Sequence, residues 1–304
     1  MIEISAVVPT HNRKSMLREL IEALASQDYS KNKYEIIIVD DDSSDGTEDL
    51  VKSLKIPNLI YIRQKKAGPS TARSRGIKRA RGRIVALLDD DLIPAKGWLR
   101  AMKSSFVGDV VAVEGKVIAK GKTYPDSHFI RNPSGGMHVT CNMAFLKSVA
   151  RFERRFKYPN REDDDLAFEI IKNGGKIVFS RAALAEHRML EFPLKVMLKK
   201  KMYFEADILL FRKYPELYKK KIKYPFDRFA PFYFVFSILS FLNPVFLALI
   251  LATAISEIFY RKYSFSLRSF VKLLITQTVG SFINVFAVIR GCIKYRVNPI
   301  RFIL

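Results

Sequence analysis

Three consecutive carboxylates, Asp89, Asp90 and Asp91, directly follow the apolar run Ile84–Leu88. Like charges at the end of a buried strand repel one another, so a positive charge is expected beside them. A divalent cation, Mg²⁺ or Mn²⁺, fits best because such ions bind one or two carboxylates together with phosphate oxygens; a solvated acidic loop is the alternative. In an extended chain Asp89 and Asp91 point to one side and Asp90 to the other, which predicts different roles for them.

Other polar residues end neighbouring apolar runs. The stretch "VVPTHNR" offers a proline-shaped turn at Pro9 and a hydroxyl at Thr10, and "VDDDSSDGT" places Asp41 where its carboxylate can accept a hydrogen bond from a base or ribose. The alternative for the second stretch is a turn and helix cap. In "KKAGPSTARSRG" a glycine-proline loop opens a helix, which is a suitable place for phosphate oxygens. We expect Arg73 to be functional there and Arg75 to lie on the surface.

These stretches belong to an alternation of strands and helices. The runs "IEISAVVPT", "YEIIIVDDD", "LIYIRQ" and "IVALLDDD" predict strands, and helical apolar spacing lies between them. The alternation predicts an α/β fold, a mostly parallel sheet with flanking helices, whose strands end at one common edge. Downstream, "TCNMAFLKSVARF" predicts a strand followed by a helix, and "REDDDLAFEIIKNGG" predicts a helix that the two glycines end.

The C-terminal part has a different composition. The chain has a net charge of +22, 49% hydrophobic residues, two cysteines without metal-ligand spacing and a start unlike a signal peptide. We predict a first domain over residues 1–190, basic amphipathic helices over 191–228 and hydrophobic membrane-associated helices over 229–304. The basic cluster at 219–228 suits the anionic cytoplasmic leaflet, which predicts that the first domain faces the cytoplasm.

Two apolar runs are the candidates for the membrane. Pro231–Ala254 is long enough to cross a hydrocarbon core of about 30 Å, and Leu273–Ile289 is at the lower limit of that length. Asn243-Pro244 interrupts the first run, and the positive charges of Tyr260–Lys272 between the two runs break the positive-inside tendency. Two crossings, re-entrant or interfacial packing, and a pair of buried soluble helices all stay open.

Six stretches occur in the order and spacing of family 2 glycosyltransferases with the GT-A fold, and the resemblance covers roughly residues 4–187. They are "AVVPTHNR", "IIIVDDDSSDGT", "GPSTARSRGI", "IVALLDDDLIPAKGWL", "CNMAF" and "REDDDLAFEIIKNGGKI". The resemblance implies an inverting transferase that takes a sugar from a nucleotide diphosphate and holds the pyrophosphate through a divalent metal, Mg²⁺ or Mn²⁺. UDP- and GDP-sugars are both compatible with it.

The resemblance also implies site residues. It assigns binding of the nucleotide sugar to Pro9, Thr10, Asp41, Arg73, Asp89 and Asp90. Asp91 is implied as the direct metal ligand, with Asp89 as the other outer member of the DXD motif. His187 resembles a histidine that approaches the metal in some members; the alternative is a hydrogen-bonded histidine at a strand end.

The acidic start of the helix in "REDDD" is similar to the family's acceptor-side motif, formed here by Glu162 and Asp163. Asp163 is implied as the general base that takes the proton of an attacking hydroxyl. Acids in a first helical turn also suit the helix macrodipole, and both explanations can hold together.

The acceptor is less defined. The family branch that glycosylates dolichyl phosphate usually has glutamine-histidine-proline after its DXD motif, whereas this chain has "LIP". We therefore favour a hydroxyl acceptor on a lipid-linked or membrane-proximal glycan, with a polyprenyl (dolichyl) phosphate sugar synthase as the alternative. A non-catalytic or nucleic-acid-binding protein is a third hypothesis, but acidic strand ends would repel a phosphate backbone, so we expect no nucleic-acid partner.

Overall fold

The computed structural model describes residues 1–153, 155–156, 159–222 and 229–303. The chain forms two compact units, the sheet unit (residues 1–120 and 129–188) and the helical unit (residues 121–128 and 189–304). The helical unit takes in both predicted C-terminal segments, 191–228 and 229–304. The end of the basic cluster, residues 223–228, lies outside the described residues, and the division into three parts stays a prediction.

The elements follow one another in chain order, with a 3₁₀ turn (Met202–Phe204) between α6 and α7. They are β1 (Ile4–Thr10), α1 (Lys14–Ala25), β2 (Tyr34–Asp40), α2 (Thr47–Ser53), β3 (Leu59–Arg63), α3 (Pro69–Arg79), β4 (Ile84–Leu88), β5 (Leu92–Pro94), α4 (Trp98–Ser104), β6 (Val110–Ile118), β7 (Ser127–His128), β8 (Asn142–Leu146), α5 (Glu162–Lys172), β9 (Lys176–His187), β10 (Leu190–Glu191), α6 (Leu194–Lys201), α7 (Glu205–Lys213), α8 (Pro215–Lys221), α9 (Ala230–Leu239), α10 (Val245–Arg261), α11 (Leu267–Tyr295) and α12 (Pro299–Ile303).

The sheet unit is built on one eight-stranded sheet in the order β3-β2-β1-β4-β8-β6-β9-β5. The pairs β3-β2, β2-β1, β1-β4 and β6-β9 are parallel, and the remaining pairs are antiparallel. Because β2, β1 and β4 are adjacent and parallel, their carboxyl ends lie side by side. The predicted α/β architecture, with acids at one common strand edge, is confirmed.

Hydrophobic packing on both faces of the sheet explains this arrangement. Alternate residues of β1 point to opposite faces, so Ala6 and Val8 pack with the α1 residues Leu17 and Leu20 while Val7 packs on the other face. That second face includes residues of α3 and α5. A strand covered on both sides is buried along its whole length and mostly apolar, as β1, β2 and β4 are.

Two local predictions need correction. Pro9 lies inside β1, paired with Val39, and forms no turn; pairing with β4 ends at Val7, so the missing N–H of Pro9 is tolerated. No helix follows β8 in the described part of 147–153, because Lys147–Val149 forms turns and Ala150 packs on the sheet. The short strand β5 is not predicted by the sequence pattern.

The helical unit contains α6 to α12 and a small antiparallel pair, β7 with β10. Its segment 121–128 is an excursion of the chain between β6 and β8. Asp126 of that segment accepts a bond from Lys272 Nζ, and Thr123 O accepts one from the backbone N–H of Ser264, 2.6 Å away. The excursion is therefore fixed by residues far along the sequence.

The interruption predicted at Asn243-Pro244 is confirmed, since α9 ends at Leu239 and α10 begins at Val245. The run Pro231–Ala254 is therefore two helices and not one continuous segment. Asn243 Oδ1 accepts the backbone N–H of Val245, the first residue of the second helix, at 2.9 Å. Among the described residues one helix, α11, is long and apolar enough to cross a membrane, with a mean hydropathy of 1.5.

Candidate active site

The carboxyl ends of β1 and β4 place two predicted residues in direct contact. Thr10 ends β1, and its Oγ1 donates a hydrogen bond to Asp90 Oδ2 at 2.8 Å. Both residues are buried. Burial raises the pKa of Asp90 to about 6, although the nearby Arg13 guanidinium opposes this rise.

Arg13 supplies a positive charge that the sequence reasoning did not assign. Its Nη1 lies 2.6 Å from Asp90 Oδ1 and 2.7 Å from Asp91 Oδ2. The residue stands just before α1, and α1 begins directly after the β1 strand end, which is why its side chain reaches this edge. The charge that balances Asp90 and Asp91 thus comes from the protein itself, so the acids alone do not require a metal.

The grouping of the three acids differs from the prediction. Asp90 and Asp91 share Arg13, whereas Asp89 accepts a bond from Arg73 Nη2 at 2.7 Å. Alternation holds only along an extended chain, and β4 ends at Leu88. The backbone N–H of Leu92 donates to Asp89 O at 3.2 Å, which closes a turn over the acids. The expectation that Asp89 and Asp91 face one way is therefore wrong.

Arg73 links two acidic groups. It is buried in α3, and its Nη1 lies 3.3 Å from Glu162 Oε1 while Nη2 binds Asp89. Burial alone lowers the pKa of this guanidinium, but the carboxylates of Asp89, Asp163 and Glu162 raise it above its ordinary value. A permanent positive charge therefore lies between the β4 strand end and the start of α5.

Close packing of α3 on β1 brings Arg73 to this position. A Cβ on Gly76, one turn further along α3, would lie 2.3 Å from Val7 Cγ1. Only glycine allows the helix backbone to approach the strand so closely. The exposed Arg75 lies on the opposite side of α3, as expected.

The first turn of α5 carries the predicted catalytic acids. Burial, and next the carboxylate of Asp163, raise the pKa of Glu162 to about 8. Both oxygens of Asp163 bind Thr140: the backbone N–H donates to Oδ2 at 3.1 Å and the hydroxyl donates to Oδ1. Burial raises the pKa of Asp163, while Arg73 and the bonds from Thr140 oppose this rise.

Asp41 has a clear structural role. Its Oδ1 accepts bonds from Gln64 Nε2 and from the Ala67 N–H, and its Oδ2 accepts the Gly68 N–H, all at 2.8 Å. These contacts fix the loop that opens α3. Asp45 accepts the Thr47 N–H at 3.2 Å just before α2, so the predicted turn is present. The predicted cap by Ser43, Ser44 or Asp45 is wrong, because Gly46 is the N-cap residue of α2 and makes no side-chain cap bond. Contact of Asp41 with a base stays a prediction.

Asp91 and His187 offer the best fit to a metal ion. His187 pairs with Leu92 across β5 and β9, and its Nδ1 donates to Arg188 O at 2.6 Å. Its Nε2 lies 3.6 Å from Asp91 Oδ1, a buried oxygen without a hydrogen-bond partner in the described part of the chain. Carboxylate oxygen and imidazole nitrogen are both common metal ligands, so a cation bound here would satisfy the unpartnered oxygen of Asp91.

Protein ligands alone do not complete such a site. Within residues 1–153, 155–156, 159–222 and 229–303, no three His, Cys, Asp or Glu side chains are grouped closely enough to hold an ion. Asp89, the other predicted ligand, is engaged by Arg73. A metal here would take its remaining ligands from a diphosphate and water, as Mg²⁺ commonly does.

Sequence reasoning missed three residues. Arg13 lies in the stretch "VVPTHNR", directly before α1, and its positive charge at the end of the first predicted strand was the available signal. Thr140 and Glu114 gave no such signal. Glu114 is buried in β6, where its carboxylate accepts the N–H groups of Gly136 and His138 at 2.7 and 2.5 Å, and so fixes the loop before Thr140.

Comparison with known proteins identifies the family of the sheet unit. The family model for glycosyl transferase family 2 matches residues 5–184. Glycosyltransferase AglE of Haloferax volcanii is 34% identical over 126 residues, which is 40% of this chain and 41% of the relative. The poly(ribitol-phosphate) beta-N-acetylglucosaminyltransferase TarS of Staphylococcus aureus is 30% identical over 135 residues, 42% of this chain and 23% of the relative. The matched part thus spans less than half the length of these curated relatives.

Solved structures share the fold. The mannosyltransferase PcManGT of Pyrobaculum calidifontis, in complex with GDP-Man and Mn²⁺, aligns with a TM-score of 0.58 at 17% identity, over 95% of this chain and 86% of that one. S. aureus TarS in complex with UDP-GlcNAc aligns with a TM-score of 0.53 at 20% identity, over 67% of this chain and 66% of that one. These likenesses confirm the predicted GT-A architecture. By the family match over residues 5–184, this chain belongs to glycosyl transferase family 2.

Proposed function

We propose that the sheet unit is an inverting glycosyltransferase that moves a sugar from a UDP- or GDP-sugar to a hydroxyl of a lipid-linked or membrane-proximal glycan, with Mg²⁺ or Mn²⁺ as cofactor. The observation that carries the proposal is Arg73, which is buried and binds Asp89 on one side and Glu162 on the other. Arg73 therefore lies between the proposed diphosphate site, beside Asp89, and the proposed acceptor site, beside Glu162. Family membership supports the reaction class.

Asp163 is the proposed base. The attacking hydroxyl must lose its proton as it reaches the anomeric carbon, so a carboxylate within hydrogen-bond reach is needed. The two bonds from Thr140 fix the orientation of this carboxylate, and burial raises its pKa, which strengthens it as a base. A single displacement with one base inverts the anomeric centre.

The departing nucleoside diphosphate gains negative charge, which Arg73 would stabilise from its buried position. Asp91 and His187 would hold the metal, which when bound would neutralise the diphosphate oxygens. Arg13 and Thr10 would keep Asp90 and Asp91 in position for it. Each of these roles belongs to a residue already oriented by a neighbour, so little rearrangement is needed at the moment of reaction.

The choice of partners rests on two kinds of support. Structural neighbours were solved with UDP-GlcNAc and with GDP-Man and Mn²⁺, which makes both nucleotides reasonable donors here. The helical unit exposes many large apolar side chains, which favours attachment to a membrane and an acceptor close to it. We place the sheet unit on the cytoplasmic side because of the basic residues that precede α9.

The test is calorimetry of the reconstituted full chain with a panel of UDP- and GDP-sugars, with and without Mn²⁺. We expect one donor to bind only when metal is present, and Asp91→Asn to abolish that binding. Asp42→Asn, which removes an equally charged but half-exposed carboxylate at the β2 end, should leave it intact. If no donor binds, or if both variants behave alike, the proposal fails.

The acceptor is tested next with the donor so identified. Labelled sugar should enter a glycan-bearing lipid and should not enter a bare polyprenyl phosphate. Transfer to the polyprenyl phosphate alone would replace the proposed acceptor with an already ionised one, for which Asp163 would not be needed as a base.

A further inference from the structure

The long helix α11 has two different faces. On the buried face, Gln277 Oε1 accepts a bond from Lys201 Nζ at 2.7 Å. A Cβ on Gly280, near the middle of α11, would lie 3.0 Å from Lys201 Cγ, so the lysine stem runs across the centre of the helix. Towards the ends, Lys272 binds Asp126 and Lys294 binds Glu205. Charged groups therefore accompany α11 along its whole length.

These contacts conflict with a crossing of the bilayer. The middle of a spanning helix is surrounded by hydrocarbon. Because Lys201 of α6 contacts the middle of α11, α6 would also lie in the hydrocarbon, together with the exposed Lys199. A charged residue at the bilayer centre costs about 2.5–3.5 kcal/mol. Helix α7, which carries Glu205, also packs against α11 and would be drawn into the same region. Length and apolar composition alone had made α11 a candidate for spanning.

The other face of α11 is an apolar stripe, defined here as seven exposed residues. They follow one another at intervals of four and three positions, so they occupy one side of the helix. The stripe comprises Val271, Ile275, Val279, Phe282, Phe286, Ile289 and Ile293. At 1.5 Å per residue it is about 33 Å long, and it runs nearly from one end of α11 to the other.

Helices α9 and α10 add a hairpin with an apolar tip. Phe241 and Leu242, in the connection between them, are 89% and 81% exposed. Phe229, before α9, contacts the ring of Tyr260 near the end of α10, so the chain enters and leaves the hairpin at the same end. With ten residues α9 is about 15 Å long, half of a hydrocarbon core of about 30 Å.

Charge complementarity identifies the occupant of this surface. Residues 189–304 contain 19 lysines and arginines against 6 acids, a net charge of +13. Basic residues close to an exposed apolar face favour anionic lipids, because the head groups attract the charges while the acyl chains take the apolar side chains. A soluble protein partner would not require this combination.

We infer that the helical unit is a monotopic anchor. Helix α11 lies in the plane of one anionic leaflet with its apolar stripe in the acyl region, the α9–α10 hairpin enters the same leaflet, and none of the described helices crosses the bilayer. The inference rests on the membrane attachment in the proposed function and not on the sugar transfer.

Depth-dependent fluorescence quenching tests the inference. Val271→Trp, Phe282→Trp and Ile293→Trp are placed one at a time in the full chain and reconstituted into phosphatidylcholine–phosphatidylglycerol vesicles with lipids brominated at shallow or deep carbons. Trp98, the one native tryptophan, is fully buried in the sheet unit and gives the unquenched baseline. An in-plane helix predicts that one bromine depth quenches all three positions best.

Two results would overturn the inference. In a crossing helix the deep bromine quenches the Phe282 position best and the shallow bromine quenches both end positions best. Absence of quenching at all three positions would show that the apolar stripe does not enter the membrane. Donor binding measured on the same vesicles separates this outcome from a failure of the proposed function, because the tryptophan depths do not depend on catalysis.

A charge placed on the stripe gives a second measurement. Phe286→Asp should weaken vesicle binding about tenfold or more, since one large apolar side chain no longer enters the acyl region. The matched control is Ile171→Asp, which changes an exposed apolar residue of the sheet unit. Equal binding of the two variants would contradict the assignment of this surface.

Discussion

In the sheet unit large apolar side chains fill the interior, whereas the helical unit turns many of them outwards. Of the 26 large apolar side chains exposed among the described residues, 22 belong to the helical unit. Both units nevertheless bury charged groups. In the sheet unit Asp89, Asp90 and Asp91 gather at a strand edge, where Arg13 and Arg73 balance them. In the helical unit the buried Glu205 and Glu257 lie between helices.

Glu257 illustrates the second case. It is buried, and its carboxylate accepts bonds from Tyr233 Oη at 3.1 Å, Gln277 Nε2 at 2.9 Å and Arg261 Nε at 2.9 Å. These residues belong to α9, α10 and α11. Buried charge is thus found in two settings: at the strand edge it surrounds the proposed donor site, and between α9, α10 and α11 it adds hydrogen bonds to a small apolar cluster that includes Tyr233 and Ile250.

The largest expected effect concerns the base. Asp163→Asn should lower kcat about 100- to 10,000-fold, because an amide cannot accept the hydroxyl proton. Donor binding should change little. Asp164→Asn, which removes the next acid on α5, paired with Arg161, is the control and should retain most of the activity. Steady-state kinetics of both variants would show the difference, and equal losses would mean that Asp163 acts only through the charge of the helix start.

The next largest effect tests the polar interior of the helical unit. Glu257→Ala should lower the free energy of unfolding by about 3 kcal/mol, since it leaves Arg261 and Gln277 without their carboxylate. Chemical denaturation followed by circular dichroism in detergent measures the change. Thr253→Ala on the same helix should cost well under 1 kcal/mol (about 0.5). A small loss for Glu257→Ala would mean that apolar contacts, and not this network, hold the three helices together.

A smaller effect is expected for the arginine at the strand edge. Arg13→Gln leaves Asp90 and Asp91 without their shared cation, and because Arg13 is 31% exposed we expect a loss of about 2 kcal/mol. Addition of Mn²⁺ should then raise Tm more in this variant than in the unchanged protein, because the ion takes over the balancing charge. Arg13→Lys keeps the charge and should show little extra gain, whereas equal gains in all three proteins would contradict the role of Arg13.

The smallest effect sharpens the role of Thr140. Thr140→Val removes the hydroxyl bond to Asp163 but keeps the backbone bond, so kcat/KM should fall about tenfold. Donation to a carboxylate stabilises its charged form, and its loss raises the pKa of Asp163; the acid limb of the pH profile should therefore move to higher pH. Thr140→Ser should restore the profile. If the acid limb of the pH profile did not move in Thr140→Val, a group other than Asp163 would determine that limb.

The sequence predicts the local features of the sheet unit well. Apolar runs with helical segments between them define β1 to β4, and the carboxyl ends of adjacent parallel strands lie at the same edge of a sheet. The pattern therefore predicts that Thr10 and Asp90 lie near each other, although they are 80 positions apart. Pairings that involve loop residues between the strands and helices do not follow from it. Arg13 meets Asp90 across 77 positions and Thr140 meets Asp163 across 23, and each pairing depends on how loops close in three dimensions.

The predicted orientation of the three acids was wrong for a related reason. The apolar pattern does not report that the strand ends at Leu88, and one turn is enough to redirect Asp89 towards Arg73. For the C-terminal part, apolar length predicted helices suited to a membrane. Composition could not predict that charged helices pack along one side of α11, because periodicity along one helix does not show what lies against it.

The excursion of residues 121–128 has a practical consequence for anyone dissecting the enzyme. Because β7 pairs with β10 and Asp126 binds Lys272, the polypeptide passes between the two units three times. A shortened protein that stops at Arg188 would keep β7 but lose the strand and the lysine that hold it. A water-soluble catalytic fragment should therefore also replace Gly121–His128 by a tight turn joining Lys120 to Phe129.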